Sequence, residues 1–179
     1  SQTGTYNITI TDENGCTATA NTTIINIAGP AAIIFTSTDV SCFGLCNGNA
    51  NASVVGGTSP YAYSWSNGQT DSTATGLCAG TYTISISDAT GCVIDSTMVI
   101  GEPDDIVADS IVIKDANCSA SNGKAEIFVS GGISPYTYLW SEGSTGSSQN
   151  GLDAGVFSVT VTDSSLCSKV FSNIIVNNS

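Results

Sequence analysis

Histidine and arginine are absent from this chain, and its whole basic complement is Lys114, Lys124 and Lys169 against 15 carboxylates, a net charge of -12. Nucleic-acid binding depends on clustered Lys and Arg neutralising phosphates, so nucleic acid is excluded as a partner. An anionic membrane surface repels the chain for the same reason. Without histidine, catalysis would have to use carboxylate pairs, Lys or Cys, and none of these converges in the sequence; the adjacent Asp104 and Asp105 read as a solvated turn. The chain is therefore read as a non-enzyme with no catalytic residue. It has no apolar run of 18 residues and so no membrane span, and residues 1–7 carry neither a basic start nor an apolar core. Any secretion signal is expected to lie outside this stretch. Charged residues make up only 10%, against about 25% in ordinary soluble domains, and Ser, Thr, Asn and Gly fill the polar positions.

Seven cysteines without a histidine fit an oxidising, extracellular compartment better than a zinc site, which usually takes tight Cys pairs or Cys/His sets. Internal periodicity organises the rest. Gly80-Thr-Tyr-Thr-Ile-Ser-Ile-Ser-Asp88, followed by Gly91-Cys92, recurs upstream from Gly4 to Asp12 with Gly15-Cys16, and downstream from Gly155 to Asp163 with Cys167. Gly56-Gly57-Thr-Ser-Pro60-Tyr-Ala-Tyr-Ser-Trp65 returns from Gly131 to Trp140. Both blocks belong to one unit of about 75 residues, as expected of a tandem array. The expected domains are residues 1–28, the C-terminal part of a truncated repeat, and two complete repeats over 29–101 and 102–179, with Gly29-Pro30 and Gly101-Glu102-Pro103 as short stiff junctions.

Within a repeat the hydrophobic period is two. Tyr82, Ile84 and Ile86 alternate with Thr and Ser, as do Phe157, Val159 and Val161, so one face of each strand is core and the other wet. Asn67-Gly68 and Glu142-Gly143 supply turns after the Trp strands. Short strands with turns every 8 to 12 residues predict an all-β, immunoglobulin-like antiparallel sandwich of about seven strands per repeat. Trp65, Trp140, Tyr82 and Phe157 are the expected large core residues, since a small sandwich needs their apolar area.

The order Cys-x-Gly, Asn-Gly, Gly-Gly-x-x-Pro-Tyr-x-Tyr-x-Trp-Ser-x-Gly and Gly-Leu-x-Ala-Gly-Thr-Tyr-Thr, ending in Asp-x-x-Gly-Cys, resembles the SprB repeat of gliding-motility adhesins from Bacteroidota. The Tyr-x-Trp and Gly-x-Tyr segments are similar to those of PKD domains. The third copy departs at Val156-Phe157 and Leu166, where the others have Thr-Tyr and Gly. The resemblance implies type IX export, display on the cell surface and a structural rod or filament role in an adhesin. The alternatives kept beside it are a module binding polysaccharide or a substratum, and an accessory domain of a secreted enzyme. The expected partners are neighbouring repeats of the same chain.

Glu102, Asp104, Asp105 and Asp109 crowd one junction and form a weak candidate Ca²⁺ site, because Ca²⁺ takes six to eight hard oxygens. The equivalent junction at 29–32 has no carboxylate, so no cofactor is expected as a rule. Asp12, Asp88 and Asp163 read as turn-opening residues that bond backbone N–H groups. Asp71-Ser72-Thr73, Asp95-Ser96-Thr97 and Asp109-Ser110-Ile111 resemble O-glycosylation signals, which makes Ser72, Ser96 and Ser110 candidates.

Cys46 and Cys78 occur together in the middle repeat and are missing together from the third, which predicts a bond between them. The other cysteines allow two schemes. One joins Cys42 to Cys92 and Cys118 to Cys167 within each repeat. The other joins Cys42 to Cys167 between repeats, because the loop after the first strand and the turn before the last lie at opposite poles of such a sandwich. Far-ultraviolet circular dichroism should show a β spectrum without the helical double minimum; helical minima would refute the period-two reading.

Overall fold

The computed structural model describes residues 3–26, 28–117 and 120–179, and among them every regular element is a β-strand. By contacts the chain divides into two units, each discontinuous in sequence. The first is Ser1–Thr36, Asn51–Ser72 and Tyr82–Thr97, and the second Ser37–Ala50, Thr73–Thr81 and Met98–Ser179. A hairpin of β1 (Gly4–Thr11) and β2 (Thr17–Ile24) comes first, paired antiparallel. Then come β3 (Pro30–Thr38), β4 (Gly48–Gly56), β5 (Ala62–Trp65), β6 (Thr73–Leu77), β7 (Gly80–Ser87) and β8 (Val93–Ile100). The last six are β9 (Val107–Lys114), β10 (Gly123–Ser130), β11 (Thr137–Trp140), β12 (Ser148–Leu152), β13 (Gly155–Thr162) and β14 (Ser168–Val176).

Sheet order repeats with the sequence. The middle repeat forms β3-β4-β6 and β5-β7-β8, and the third forms β9-β10-β12 and β11-β13-β14. Among the described residues no sheet mixes strands from the segments 1–28, 29–101 and 102–179. In each set the first, second and fourth strands share one sheet and the third, fifth and sixth the other. This is the immunoglobulin-like arrangement, in which the chain repeatedly crosses between two packed sheets. Among the described residues each repeat has six strands, one fewer than the seven expected. The missing strand would follow the Trp strand, and only residues 66–72 and 141–147 are available there. They are spent on a tight turn, with the Gly68 and Gly143 amides donating to the carbonyls of Trp65 (2.9 Å) and Trp140 (2.8 Å).

The alternation that predicts the strands also builds the core. In the third repeat Ala125 and Ile127 of one sheet meet Trp140, Phe157, Val159, Val161, Ile174 and Val176 of the other in one buried cluster, closed at its ends by Ile106, Ala116 and Leu152. In the middle repeat Ala50, Ala52, Trp65, Ala74, Leu77, Ile84, Ile86, Met98 and Ile100 are buried at the matching positions. Each indole N–H, which would cost free energy if left unpaired, donates to a turn carbonyl: Trp65 Nε1 to Asp71 O and Trp140 Nε1 to Gly146 O, both at 2.8 Å. Phe35 packs obliquely on Trp65, with ring centroids 6.2 Å apart. Tyr82 is a correction, since it is only half-buried. It stands near the start of β7, ahead of Ile84, where a phenol gains by keeping its polar end toward water. In the β1-β2 hairpin, Tyr6, Ile8 and Ile10 are exposed, whereas Ile84 and Ile86, in the places of the two isoleucines, are buried.

Two further devices hold each sandwich together. The Gly-Gly loops carry both glycines at positive φ, 77° and 75° at Gly56 and Gly57, and 76° and 57° at Gly131 and Gly132. A Cβ on Gly131 would overlap the Asp105 carbonyl, so the loop admits no side chain there. The Tyr61 hydroxyl donates to Gly56 O at 2.7 Å, and Tyr136 does the same to Gly131 O, closing each loop across a cis Ser-Pro bond. At the other end of the sandwich Ala116 pairs in parallel with Asn178, beyond the end of β14. Replacing Trp65 or Trp140 by Ala should destabilise the chain by about 3 to 5 kcal/mol. Urea titrations followed by circular dichroism would test this, and an unchanged midpoint in both variants would contradict it.

Candidate functional site: the junction carrying Cys42 and Cys167

The turn between the last two strands is built around one aspartate in every copy. Asp163 Oδ1 accepts from the amides of Ser165 and Cys167, both at 2.9 Å, while Oδ2 accepts from Ile133 N at 2.9 Å in the Gly-Gly loop. Asp88 matches it, with Oδ1 accepting from Thr90 N (2.9 Å), Thr90 Oγ1 (2.7 Å) and Cys92 N (3.0 Å), and Oδ2 from Thr58 N (3.0 Å). Asp12 accepts from Asn14 N at 2.9 Å and Cys16 N at 2.8 Å. The turn role expected of the series is therefore only half of what Asp88 and Asp163 do, since each also ties the turn to the loop that leads into the Trp strand. Both are buried, at 6% and 3% exposure. The Thr90 hydroxyl, opposed by burial and helped by the Thr58, Cys92 and Thr90 amides, holds the Asp88 carboxyl below the ordinary value of 3.8. Burial pushes Asp163 upward, but the amides of Ile133, Cys167 and Ser165 outweigh it and lower this carboxyl too.

The second half of the site is the loop after β3. Asn47 Oδ1 accepts from Ser41 N at 3.0 Å, its Nδ2 donates to Ser41 Oγ at 2.8 Å, and Leu45 N donates to Cys42 O at 3.1 Å. A residue not singled out in the sequence anchors this loop. Asp39 Oδ1 accepts from Gly101 N at 2.8 Å while Val40 N donates to Gly101 O at 3.1 Å, tying the end of the first strand to the end of the last. Asp115 repeats this with Asn177 N at 2.9 Å, beside Ala116 N to Asn177 O at 3.0 Å. The signal was present as Asp-x-x-Cys at 39–42 and 115–118.

These two preorganised pieces meet within the second unit. Cys42 and Cys167 form a disulfide, with Cα atoms 5.6 Å apart and 125 residues between them in sequence. Gly44 N donates to Glu102 Oε2 at 2.9 Å, and Lys169 pairs with Asp105. The latter pair is exposed enough to be worth no more than about 1 kcal/mol. A cleft of about 260 Å³ lies beside the bond, lined among others by Phe43, Leu45, Pro103, Ile106 and Leu166. Leu166, 84% exposed, holds φ at 66° where Gly15 and Gly91 hold 82° and 83°. A branched residue in this left-handed region costs roughly 1–2 kcal/mol, so the third turn is built at a strain that its glycine counterparts avoid.

The within-repeat scheme, Cys42 with Cys92 and Cys118 with Cys167, is corrected by this bond, which already occupies Cys42 and Cys167. Strand length is the physical reason. Cys92 precedes β8 and Gly101, the anchor of the Cys42 loop, follows it, so eight residues at about 3.3 Å put ~26 Å of strand between them. Cys118 lies outside the described residues. Cys46 and Cys78 form a second disulfide. Where they stand, the third repeat has Ser121 and Asp153, and the Ser121 hydroxyl donates to Asp153 Oδ1 at 2.5 Å. Cys16 and Cys92 are free thiols, exposed and half-buried respectively.

The candidate Ca²⁺ cluster does not assemble. Glu102 is engaged with Gly44 N, Asp105 with Lys169, and Asp109 with the Ser130 hydroxyl at 2.7 Å, while Asp104 serves through its backbone carbonyl, which accepts from Gly132 N at 2.8 Å. Among the described residues no three His, Cys, Asp or Glu side chains gather closely enough to hold a metal. Ser72 precedes β6 and is half-buried, Ser96 is half-buried within β8, and Ser110 is exposed on β9.

The family model of the SprB repeat matches the chain twice, over residues 34–70 and 110–145. Both matches include the loop after the first strand and the Gly-Gly loop, and both end just past the Trp strand. No curated protein matches the chain. Among solved structures, the N-terminal eight immunoglobulin domains of Down syndrome cell adhesion molecule isoform 1.30.30 are similar at 15% identity and a TM-score of 0.46, covering 98% of this chain and 28% of that one. The C-terminal 282-residue fragment of intimin, solved with the intimin-binding domain of the translocated intimin receptor, is similar at 14% identity and a TM-score of 0.35, covering 84% of this chain and 65% of that one.

Because Asp88 and Asp163 are easier to ionise folded than unfolded, they stabilise the chain above the unfolded carboxyl pKa of about 3.9, and this stability is lost as pH falls through their lower folded values. The urea midpoint of the native chain should therefore fall on acidification below about pH 4. In the Asp88→Asn, Asp163→Asn double variant the midpoint should start lower at pH 7 and fall less steeply; parallel curves for the two proteins would refute the assignment.

Proposed function

We propose, on the premise that this chain carries two tandem SprB repeats, that it is a non-catalytic, load-bearing stretch of an extracellular cell-surface adhesin. The observation that carries this reading is the disulfide between Cys42, in the loop after the first strand of one repeat, and Cys167, before the last strand of the next. Each sandwich has its own buried residues and its own clamped turns, and the bond lies outside both sets. Its physical effect is to join neighbours, so that tension on the chain is carried by a covalent bond between loops as well as by the short linker. Seven cysteines and a surface poor in charge suit an oxidising exterior. A place in a gliding-motility filament exported by the type IX system is the finer form of the same proposal. It is supported by the repeat sequence, as is the choice of neighbouring repeats as principal partners.

Single-molecule pulling between the chain ends tests the role directly. The bond hides 125 residues of sequence separation, so reduction should release about 410–450 Å of extra contour at 3.3–3.6 Å per residue. The Cys42→Ser, Cys167→Ser variant should show about 310–335 Å of it without reductant, because the intact bond between Cys46 and Cys78 still hides 32 of those residues, and the remainder once reduced. Equal contour lengths in all three cases would overturn the load-bearing reading. Specific retention of the chain on a polysaccharide column that is lost in the same variant would replace it with a binding role.

A further inference from the structure

The three turns that carry Cys16, Cys92 and Cys167 share one backbone geometry. The aspartate amide donates to the cysteine carbonyl at 2.9, 3.0 and 2.9 Å, and the cysteine amide donates back to the aspartate carboxylate at 2.8, 3.0 and 2.9 Å. In one of the three the sulfur is bonded to the first-strand loop of the repeat before it, and in the other two it is a thiol. Cys92 is therefore not an isolated cysteine, because its structural twin in the same chain shows what this position receives. The Cys42 loop has its own twin in sequence: Asp39-x-x-Cys42 recurs as Asp115-x-x-Cys118, and Asp115 makes the same anchoring bond as Asp39.

We propose that Cys92 is the receiving half of a second inter-repeat disulfide, whose partner is a cysteine at the Cys42 position in the first-strand loop of an adjoining repeat. Cys16 and Cys118 are the corresponding receiving and donating halves of further rungs. The oxidant is a small-molecule disulfide such as oxidised glutathione. The loop thiolate first attacks it, forming a mixed disulfide and releasing one glutathione thiolate. The Cys92 thiolate then attacks the loop sulfur, forming the inter-repeat S–S bond and expelling the second. In sum two protein thiols lose two electrons, and the two protons end on two molecules of reduced glutathione. The Asp88 clamp is the positioning element, since it fixes the Cys92 backbone before the partner arrives, and the Thr90 hydroxyl lies 3.4 Å from the sulfur. This inference rests on the equivalence of the repeats and not on load-bearing, so either idea can fail while the other stands.

The test lengthens the chain by one complete repeat, placing residues 29–101 ahead of residue 26, with Cys92→Ser in the added copy. The protein is equilibrated in a glutathione redox buffer, alkylated with iodoacetamide and mapped without reduction. The expected result is that peptides containing Cys42 are recovered linked to Cys92 and to Cys167 in equal amounts, with Cys92 protected from alkylation. Full alkylation of Cys92, alongside complete bonding of Cys46 to Cys78 in both copies, overturns the proposal. If the added copy fails to form its bond between Cys46 and Cys78, the unaltered 179-residue chain, oxidised at high concentration, decides. Links between copies from Cys118 to Cys92 or Cys16 support the proposal, and only like-to-like links or glutathione adducts overturn it.

Discussion

One carboxylate per repeat, Asp88 or Asp163, is asked to satisfy backbone amides from two parts of the chain at once. A buried charge is tolerated only when its lone pairs are filled by donors, and here the donors belong both to the turn before the last strand and to the Gly-Gly loop before the Trp strand. Because the two oxygens face opposite ways, neither segment can shift without stranding the other's bonds. The entry of the Trp strand, the start of the last strand and the placing of the turn cysteine all follow from that constraint. The cysteine is thus held by its own backbone before any disulfide forms, and the bond between Cys42 and Cys167 joins two loops that are each ordered independently.

The two complete repeats act as internal controls on one another. Both keep the aspartate clamp, the tyrosine closing the Gly-Gly loop, the indole N–H bond to a turn carbonyl, and the aspartate joining the first strand to the last. The indole bonds and the aspartate clamp satisfy part-buried polar groups, while the first-strand aspartates make the same bond at exposed positions. Elsewhere the repeats diverge. A disulfide between Cys46 and Cys78 is matched by the Ser121 to Asp153 hydrogen bond, and a glycine at position 91 by the strained Leu166. The frame is held constant by hydrogen-bond accounting, and the chemistry of the loops varies on top of it.

Local signals were legible because they need only a few neighbouring residues. The period of two placed the strands of both complete repeats, Gly-Gly marked loops that demand positive φ, and Asp before Gly-Cys marked the turns. The same reasoning left the strand count at about seven, since residue spacing does not say that seven residues will all be consumed by one turn. It also drew Glu102, Asp104, Asp105 and Asp109 together as a cluster. Glu102, Asp105 and Asp109 are instead each engaged by a separate partner.

What the sequence by itself determined is the repeat length, the all-β class, the core tryptophans and the acidic, histidine-free composition. Only tertiary structure decided between the two schemes for Cys42 and Cys167, that Asp39 and Asp115 bind the end of the last strand, and that the second oxygen of Asp88 and Asp163 reaches the Gly-Gly loop. The physical reason is range. Hydrophobic patterning acts through average burial and survives errors of several ångströms, whereas a disulfide or hydrogen bond requires atoms from distant parts of the chain to arrive within fractions of one.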